Sequence, residues 1–360
     1  MNTRSRLFVL LAAVAALAAV AAVSVLRAAD RAAEKDRPQA GGPAVTAGSV
    51  TLAPDTPRMV FRNMAWGPHR DELATVPAGS PTAARTASDV KCLRFYAAAG
   101  TGICLQSVKG AVQDTYRAVV LDARLHELRH FPLAGIPTRA RVSPSGRMAA
   151  WTVFVGGDSY AGTNFSTRTS VLDTRTWALV ANLEDFRIIR DGRPYHAADV
   201  NFWGVTFSDD THFYATLGTG GRTYLVRGDV AARSVRTLRG NVECPSLSPD
   251  GTRLVFKKRV AGLSPDAPWR LYVLDLATMR ETPLAERRSV DDQVVWRDDH
   301  TVVYALAGDF GADLWTVPAD GTGTARRMMT AALAPAYLGQ ALPGPGRGPA
   351  LRSPATRRSP

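Results

Sequence analysis

Residues 244 to 259 read CPSLSPDGTRLVFKKR, two apolar, β-branched runs about the tight turn SPDG, and altered copies of this hairpin recur along the chain. The copies are SPSGRMAAWTVF (143–154), SDDTHFYATL (208–217), RDDHTVVYAL (297–306) and, more weakly, AAAGTGICLQ (97–106). Each turn draws on Pro, Asp, Ser or Gly, which favour reversal through a preset φ, side-chain bonds to the backbone or tolerance of positive φ. Downstream lies a second set, one apolar strand ending in a polar turn: ELATVPAG (72–79), YRAVVLDAR (116–124), TSVLDTRTW (169–177), TYLVRGDVA (223–231), RLYVLDLAT (270–278) and DLWTVPADG (313–320). A further short strand follows most of these, as in SVRTLRG (234–240) and TARRMMT (324–330). The repeating unit is therefore four short strands, A to D, at a spacing of about 40 to 65 residues, the range of a propeller blade with insertions.

One such sheet exposes two faces and cannot bury them alone. Closure into a ring against its siblings solves that problem, and the ends of the chain are built for closure. The first unit has MVFRNM (59–64), ELATVPA and TAART in the places of B, C and D, with nothing before them that matches A. LAPAYLG (333–339) follows TARRMMT as CPSLSPD follows SVRTLRG, with Pro335 in the place of Pro245, so it supplies the missing strand. The expectation is an all-β, six-bladed β-propeller of four-stranded antiparallel blades over residues 57–339, closed by 333–339.

The segment ahead of it has a different character. After MNTRSR, residues 7 to 26 (LFVLLAAVAALAAVAAVSVL) contain Ser24 as their sole polar residue, long enough to cross a bilayer as a helix. Residues 1–26 therefore read as a membrane anchor, or as a signal peptide if cleaved near Ala19, Ala21 or Ser24; the length and the following Arg27 favour the anchor. Residues 27–56 read as a flexible tether and 340–360 as a disordered Pro/Arg tail. The net charge of +12 is partly a property of these ends: Arg4, Arg6, Arg347, Arg352, Arg357 and Arg358 lie in them. About +6 remains on the body, without a basic helix or a Lys/Arg stripe, which excludes a nucleic-acid binder.

The sequence SLSPDGTRLVF followed by RLYVLDLATMRETPL resembles the repeat of the TolB family of propellers, related to the WD-type β-propellers. The resemblance covers 57 to about 339. It implies an envelope-associated protein, of the kind that serves translocation, binding partners at the propeller face without performing chemistry. The TolB family carries an α/β domain ahead of its propeller, in the place where this chain has the tether.

Antiparallel strands put the B–C and D–A loops on one face and the A–B and C–D turns on the other. The longest insertions, 154–168, 184–204 and 257–270, all belong to the B–C/D–A face, where a scaffold places its function. Candidate ligand or partner residues there are Asp158, Tyr160, Asn164, Arg168, Arg193 and Tyr195, with Asp199, Asn201 and Trp203 alternating along a strand, and Glu243, Trp269, Asp291 and Asp292. Asp89, Asp199, Glu243, Asp291 and Asp292 recur at or before strand A and, around the channel mouth, would attract a cation or a basic peptide.

Catalytic motifs are weak. GDSYAG (157–162) departs from G-x-S-x-G, and His126 and His130 lie on a turn and strand, so neither a nucleophile elbow nor a metal site is expected. Cys92, in strand A, and Cys104, in strand B, face each other across one hairpin and read either as a disulfide that leaves Cys244 as a buried filler or, with Cys244, as three reduced core thiols. The expectation is thus a monomeric, extracytoplasmic binding scaffold held at the membrane by residues 7–26, or secreted if these are cleaved. It is expected to have no cofactor or catalytic residue, and to take an envelope protein, peptide or polymer as ligand. The alternative is a propeller enzyme acting on envelope carbohydrate through a carboxylate pair. Ion pairing of the acids to Arg190 and Arg193 would count against it.

Overall fold

The computed structural model describes residues 3–38, 40–110, 113–157, 159–160 and 165–339. The expected tail at 340–360, with Asp158 and Asn164, lies outside the described residues.

Six sheets are arranged about one axis. Blade 2 runs A to D as Arg94–Ala98, Thr101–Val108, Thr115–Leu121 and Glu127–Leu133, and blade 3 as Ile136–Val142, Met148–Gly156, Ser166–Asp173 and Leu179–Val180. Blade 4 comprises Asn201–Phe207, His212–Thr219, Arg222–Asp229 and Ser234–Gly240, with an added hairpin, Arg187–Arg190 and Arg193–Tyr195, on its outer edge. Blade 5 comprises Glu243–Leu247, Arg253–Arg259, Trp269–Asp275 and Glu281–Pro283, and blade 6 Val295–Asp298, Thr301–Gly308, Gly311–Pro318 and Arg326–Met329. Each A strand touches the A strand of the next blade all the way round, so these strands line the axis.

The ring closes in blade 1 as the repeats require. Its strand A is Ala332–Leu338, paired antiparallel with Arg58–Asn63 so that Tyr337 opposes Met59 and Ala336 opposes Val60; Glu72–Pro77 and Arg85–Lys91 complete it. Arg85 locks this seam. Its guanidinium donates to Asn63 Oδ1 (2.7 Å) and to the carbonyls of Ala331 (2.8 Å) and Thr330, and it lies over the Phe61 ring. Burial lowers its pKa to about 10, offset in part by Asp313.

The core is divided. An apolar cluster fills each of the six interfaces between neighbouring blades, for example Phe202, Phe213, Leu217 and Val226 of blade 4 against Met148, Ala150 and Val171 of blade 3. These clusters join residues of two blades, so the apolar faces of a blade are buried by its neighbours.

Two departures from the sequence reading have simple causes. The N-terminal helix runs Thr3–Lys35, past the expected start of the tether, because RAADRAAEK consists of good helix formers. Residues 45–52 are not a free tether: Val45–Ala47 pair with Arg85–Ala87, covering the edge of blade 1, and Val50 and Leu52 are buried between blades 1 and 2. Cys92 and Cys104 are disulfide-bonded, with Cα atoms 5.4 Å apart. Cys92 stands in the connection before strand A of blade 2 instead of within that strand, and Cys104 lies in strand B as read.

Candidate functional site

At the B–C/D–A end of the axis, blades 3, 4 and 5 contribute a seventh cluster unlike the other six: Phe154, Tyr160, Trp203, Cys244 and Trp269. Tyr160 stacks against Phe154 (4.6 Å between centroids), Trp203 (5.3 Å) and Phe165 (5.4 Å), and its hydroxyl pairs with Thr138 Oγ1 at 2.8 Å. Trp203 fits because Gly218 leaves it room: a Cβ there would stand 2.7 Å from the indole ring. Tyr160, Trp203 and Trp269 are thus buried together as a plug, and do not form an exposed aromatic surface.

An ion network rests on this plug. Lys257, fully buried, sits 3.8 Å from the Trp269 ring centre and lies between the carboxylates of Glu243 (3.8 Å) and Asp291. Glu243, also fully buried, is bonded by Arg259 at 2.9 Å, and Arg259 reaches on to the Tyr160 carbonyl. Arg139 donates to the Asp291 carbonyl (2.8 Å) and stands 3.7 Å from its carboxylate. Two residues on, Arg141 donates to the Val294 carbonyl (2.7 Å) and lies 4.5 Å over Tyr96. Arg94 of blade 2 has Asp292 at 3.8 Å, while the other Asp292 oxygen accepts Ala305 N–H. Burial holds Arg94 and Arg141 below the usual guanidinium value, and the neighbouring Arg139 lowers both further.

The expected acidic mouth is therefore corrected. Glu243, Asp291 and Asp292 converge at the axis, but each faces a cation: Glu243 the Arg259 of its own blade, Asp291 the Lys257 of blade 5, and Asp292 the Arg94 of blade 2. Arg139, Arg141, Lys257 and Arg259 were not singled out from sequence, nor was Arg94. One signal was present: Arg139 and Arg141 alternate with Ala140 and Val142 in an innermost strand, so a side chain every second residue faces the channel. Asp199 is exposed, accepting Thr219 Oγ1 (2.7 Å) and Gly220 N–H (2.6 Å), and those bonds hold it below the usual carboxylate range. Asn201 accepts the Thr167 N–H at 2.7 Å, Arg168 is exposed on strand C of blade 3, and Asp89 is on strand D of blade 1. Arg193 and Tyr195 belong to the outer hairpin of blade 4, where Tyr195 pairs with Thr219 and Arg190 stacks on Tyr195. The mouth acids are paired with cations other than Arg190 and Arg193. Among the described residues, no three His, Cys, Asp or Glu side chains cluster as metal ligands.

No family model matches the chain, and no curated protein matches it in sequence. Solved structures do. The chain is similar to a Mycobacterium tuberculosis puromycin-hydrolyzing peptidase (16% identity, 75% of this chain and 43% of that one, TM-score 0.44). It is also similar to an oligogalacturonate lyase in complex with manganese (10%, 71% and 73%, 0.46) and to the nidogen/laminin complex (10%, 79% and 99%, 0.49). The similarity is one of fold. The chain spans less than half the length of the peptidase. The expectation that the chain is not an enzyme is withdrawn: the structures similar to it in fold include, by name, a peptidase and a lyase.

Proposed function

We propose that the chain is a membrane-tethered, extracytoplasmic β-propeller of the cell envelope that binds a protein, peptide or polymer ligand at the B–C/D–A mouth. One observation carries this reading. Of the buried polar side-chain atoms without a hydrogen-bond partner, Arg139 Nε, Trp203 Nε1, Glu243 Oε2, Trp269 Nε1 and Gln293 Oε1 gather around the mouth, where Lys257 and Glu243 are also fully buried. Buried charge and unpaired donors cost stability that apolar filling, as in the six interfaces, would spare. Local rules that fail together at one place mark a functional site.

The disulfide supports an oxidising compartment, the apolar helix supports a membrane anchor, and the quoted repeat resembles that of an envelope family. Ligand capture is a step that a scaffold and an enzyme share, and the proposal concerns that step. Photo-crosslinking in envelopes tests it. A photoreactive residue replacing Ala261, exposed in the B–C loop of blade 5, is expected to give a discrete adduct, and one replacing Ala277, on the opposite face, is not. Adducts from position 277 alone would sink the proposal.

A further inference from the structure

We infer that the mouth selects an acidic ligand, a carboxylate-bearing peptide segment whose anionic group seats on Arg94; this rests on the mouth being the binding face. Arg94 opens the innermost strand of blade 2 at the mouth, Arg139 of the neighbouring innermost strand in blade 3 stands close enough to act on it, and Arg141 lies two residues further down the channel toward the A–B turn. The carboxylates there are already engaged. Asp291 holds Lys257 and Arg139, and Glu243 holds Lys257 and Arg259, so neither is free to receive a cation from outside. Arg141 has carbonyl and hydroxyl acceptors but no carboxylate within ion-pair distance. Among the described residues, Arg94 has one carboxylate contact, the long one to Asp292, which is itself partly committed to the backbone of blade 6.

Arg94 is also the accessible cation of the three, its side chain 27% exposed against 6% for Arg139. A ligand entering the mouth meets it first, with Arg139 behind it adding attraction through a medium less polarisable than water. A guanidinium offers two parallel N–H groups to an oxyanion, a geometry the 3.8 Å contact leaves unused. A singly charged carboxylate suits the site better than a phosphate dianion, since Asp291, 44% exposed, and Asp292 stand beside it and repel in proportion to ligand charge.

The test uses the full chain in nanodiscs, with labelled hexaglutamate as the probe and labelled hexalysine as its opposite, read by fluorescence anisotropy. Hexaglutamate is expected to bind in preference to hexalysine. Arg94→Gln should weaken it about tenfold, the loss of one charge-assisted pair, and Arg94→Lys should recover part of that. Asp292→Asn should tighten it about threefold by removing a competing carboxylate, a direction that a merely structural role would not produce. Melting curves of each variant confirm that the propeller is intact. Preference for hexalysine, or indifference of hexaglutamate to both Arg94→Gln and Asp292→Asn in folded protein, would overturn the inference. In that event, adducts persisting from position 261 would leave the mouth standing as the binding face, and their loss would remove both.

Discussion

At the scale of single residues, the repeated VLD and RGD signatures have one physical role. The Asp that ends strand C folds its carboxylate over the following turn: Asp122 accepts the N–H groups of Arg124 and His126, Asp229 that of Ala232, and Asp275 those of Ala277 and Thr278. Asp173 does the same for Arg175 and Thr176, and adds Arg147, just ahead of strand B, at 2.6 Å. The Arg147 bond, helped by the turn N–H groups and opposed by partial burial, holds the Asp173 carboxyl at about 2, against 3.8 when unperturbed. A carboxylate whose pKa is lowered on folding contributes stability above its unfolded value and loses it as pH falls toward the folded one. Asp173→Asn is therefore expected to cost about 1 kcal/mol near neutrality, after allowance for the partial exposure of Arg147. Urea titrations should show the gap between variant and parent closing between about pH 4 and pH 2. A gap constant over that range would refute the assignment.

At the scale of elements, closure depends on Arg85 more than on the register of the last strand alone. Arg85→Leu leaves Asn63 Oδ1 and the Thr330 carbonyl buried without donors and leaves the Ala331 carbonyl with the Met64 N–H alone, and is expected to lower stability by about 3 kcal/mol. Chemical denaturation measures it, and a loss below about 1 kcal/mol would show that water replaces the guanidinium. The strand order itself was legible, because SPDG-type turns and the strands after them repeat at blade spacing, and because LAPAYLG occupies the place of an absent strand. What links blades was not legible. Asp210 accepts the Ser143 hydroxyl of the preceding blade at 2.9 Å and Asp299 accepts Asp250 N–H at 2.9 Å, so the second acid of SDD and RDD clips the neighbouring SPSG or SPDG turn. Within one repeat such an acid looks like any turn residue. The mouth was misjudged for the same reason. Glu243, Asp291 and Asp292 stand out at strand starts, whereas Lys257 and Arg259 end a strand that reads as leading into a loop; Glu243 meets them through the register of strands A and B in blade 5, and Asp291 meets Lys257 from the connection into blade 6.

At the scale of the whole molecule, the helix leaves the propeller on the side of the mouth. The Lys35 carbonyl accepts the N–H of Gly67, in the B–C loop of blade 1, at 2.8 Å, and the helix buries no residue, so it projects away from the propeller. The chain then reaches the opposite face, where Thr51 and Leu52 bond to the Ala123 carbonyl before strand B of blade 1 begins. With residues 7–26 in the bilayer, as proposed, the helical residues from Arg27 to Lys35 span about 13 Å. The mouth would then face the membrane at short range, and its ligand would have to be presented from the membrane surface. Energy transfer to rhodamine-labelled lipid in nanodiscs measures this directly, since Cys244 is buried and leaves an introduced cysteine as the labelling site. A fluorophore at Asp266→Cys, exposed on the mouth side, should transfer strongly, and one at Arg175→Cys, in the C–D turn of blade 3, weakly. Inserting ten Gly/Ser residues after Pro38 should level the two signals, because it frees the propeller from the helix end. Equal transfer in the parent chain would mean that the Lys35–Gly67 bond does not set the orientation, and a soluble ligand would then reach the mouth as readily as one borne by the membrane.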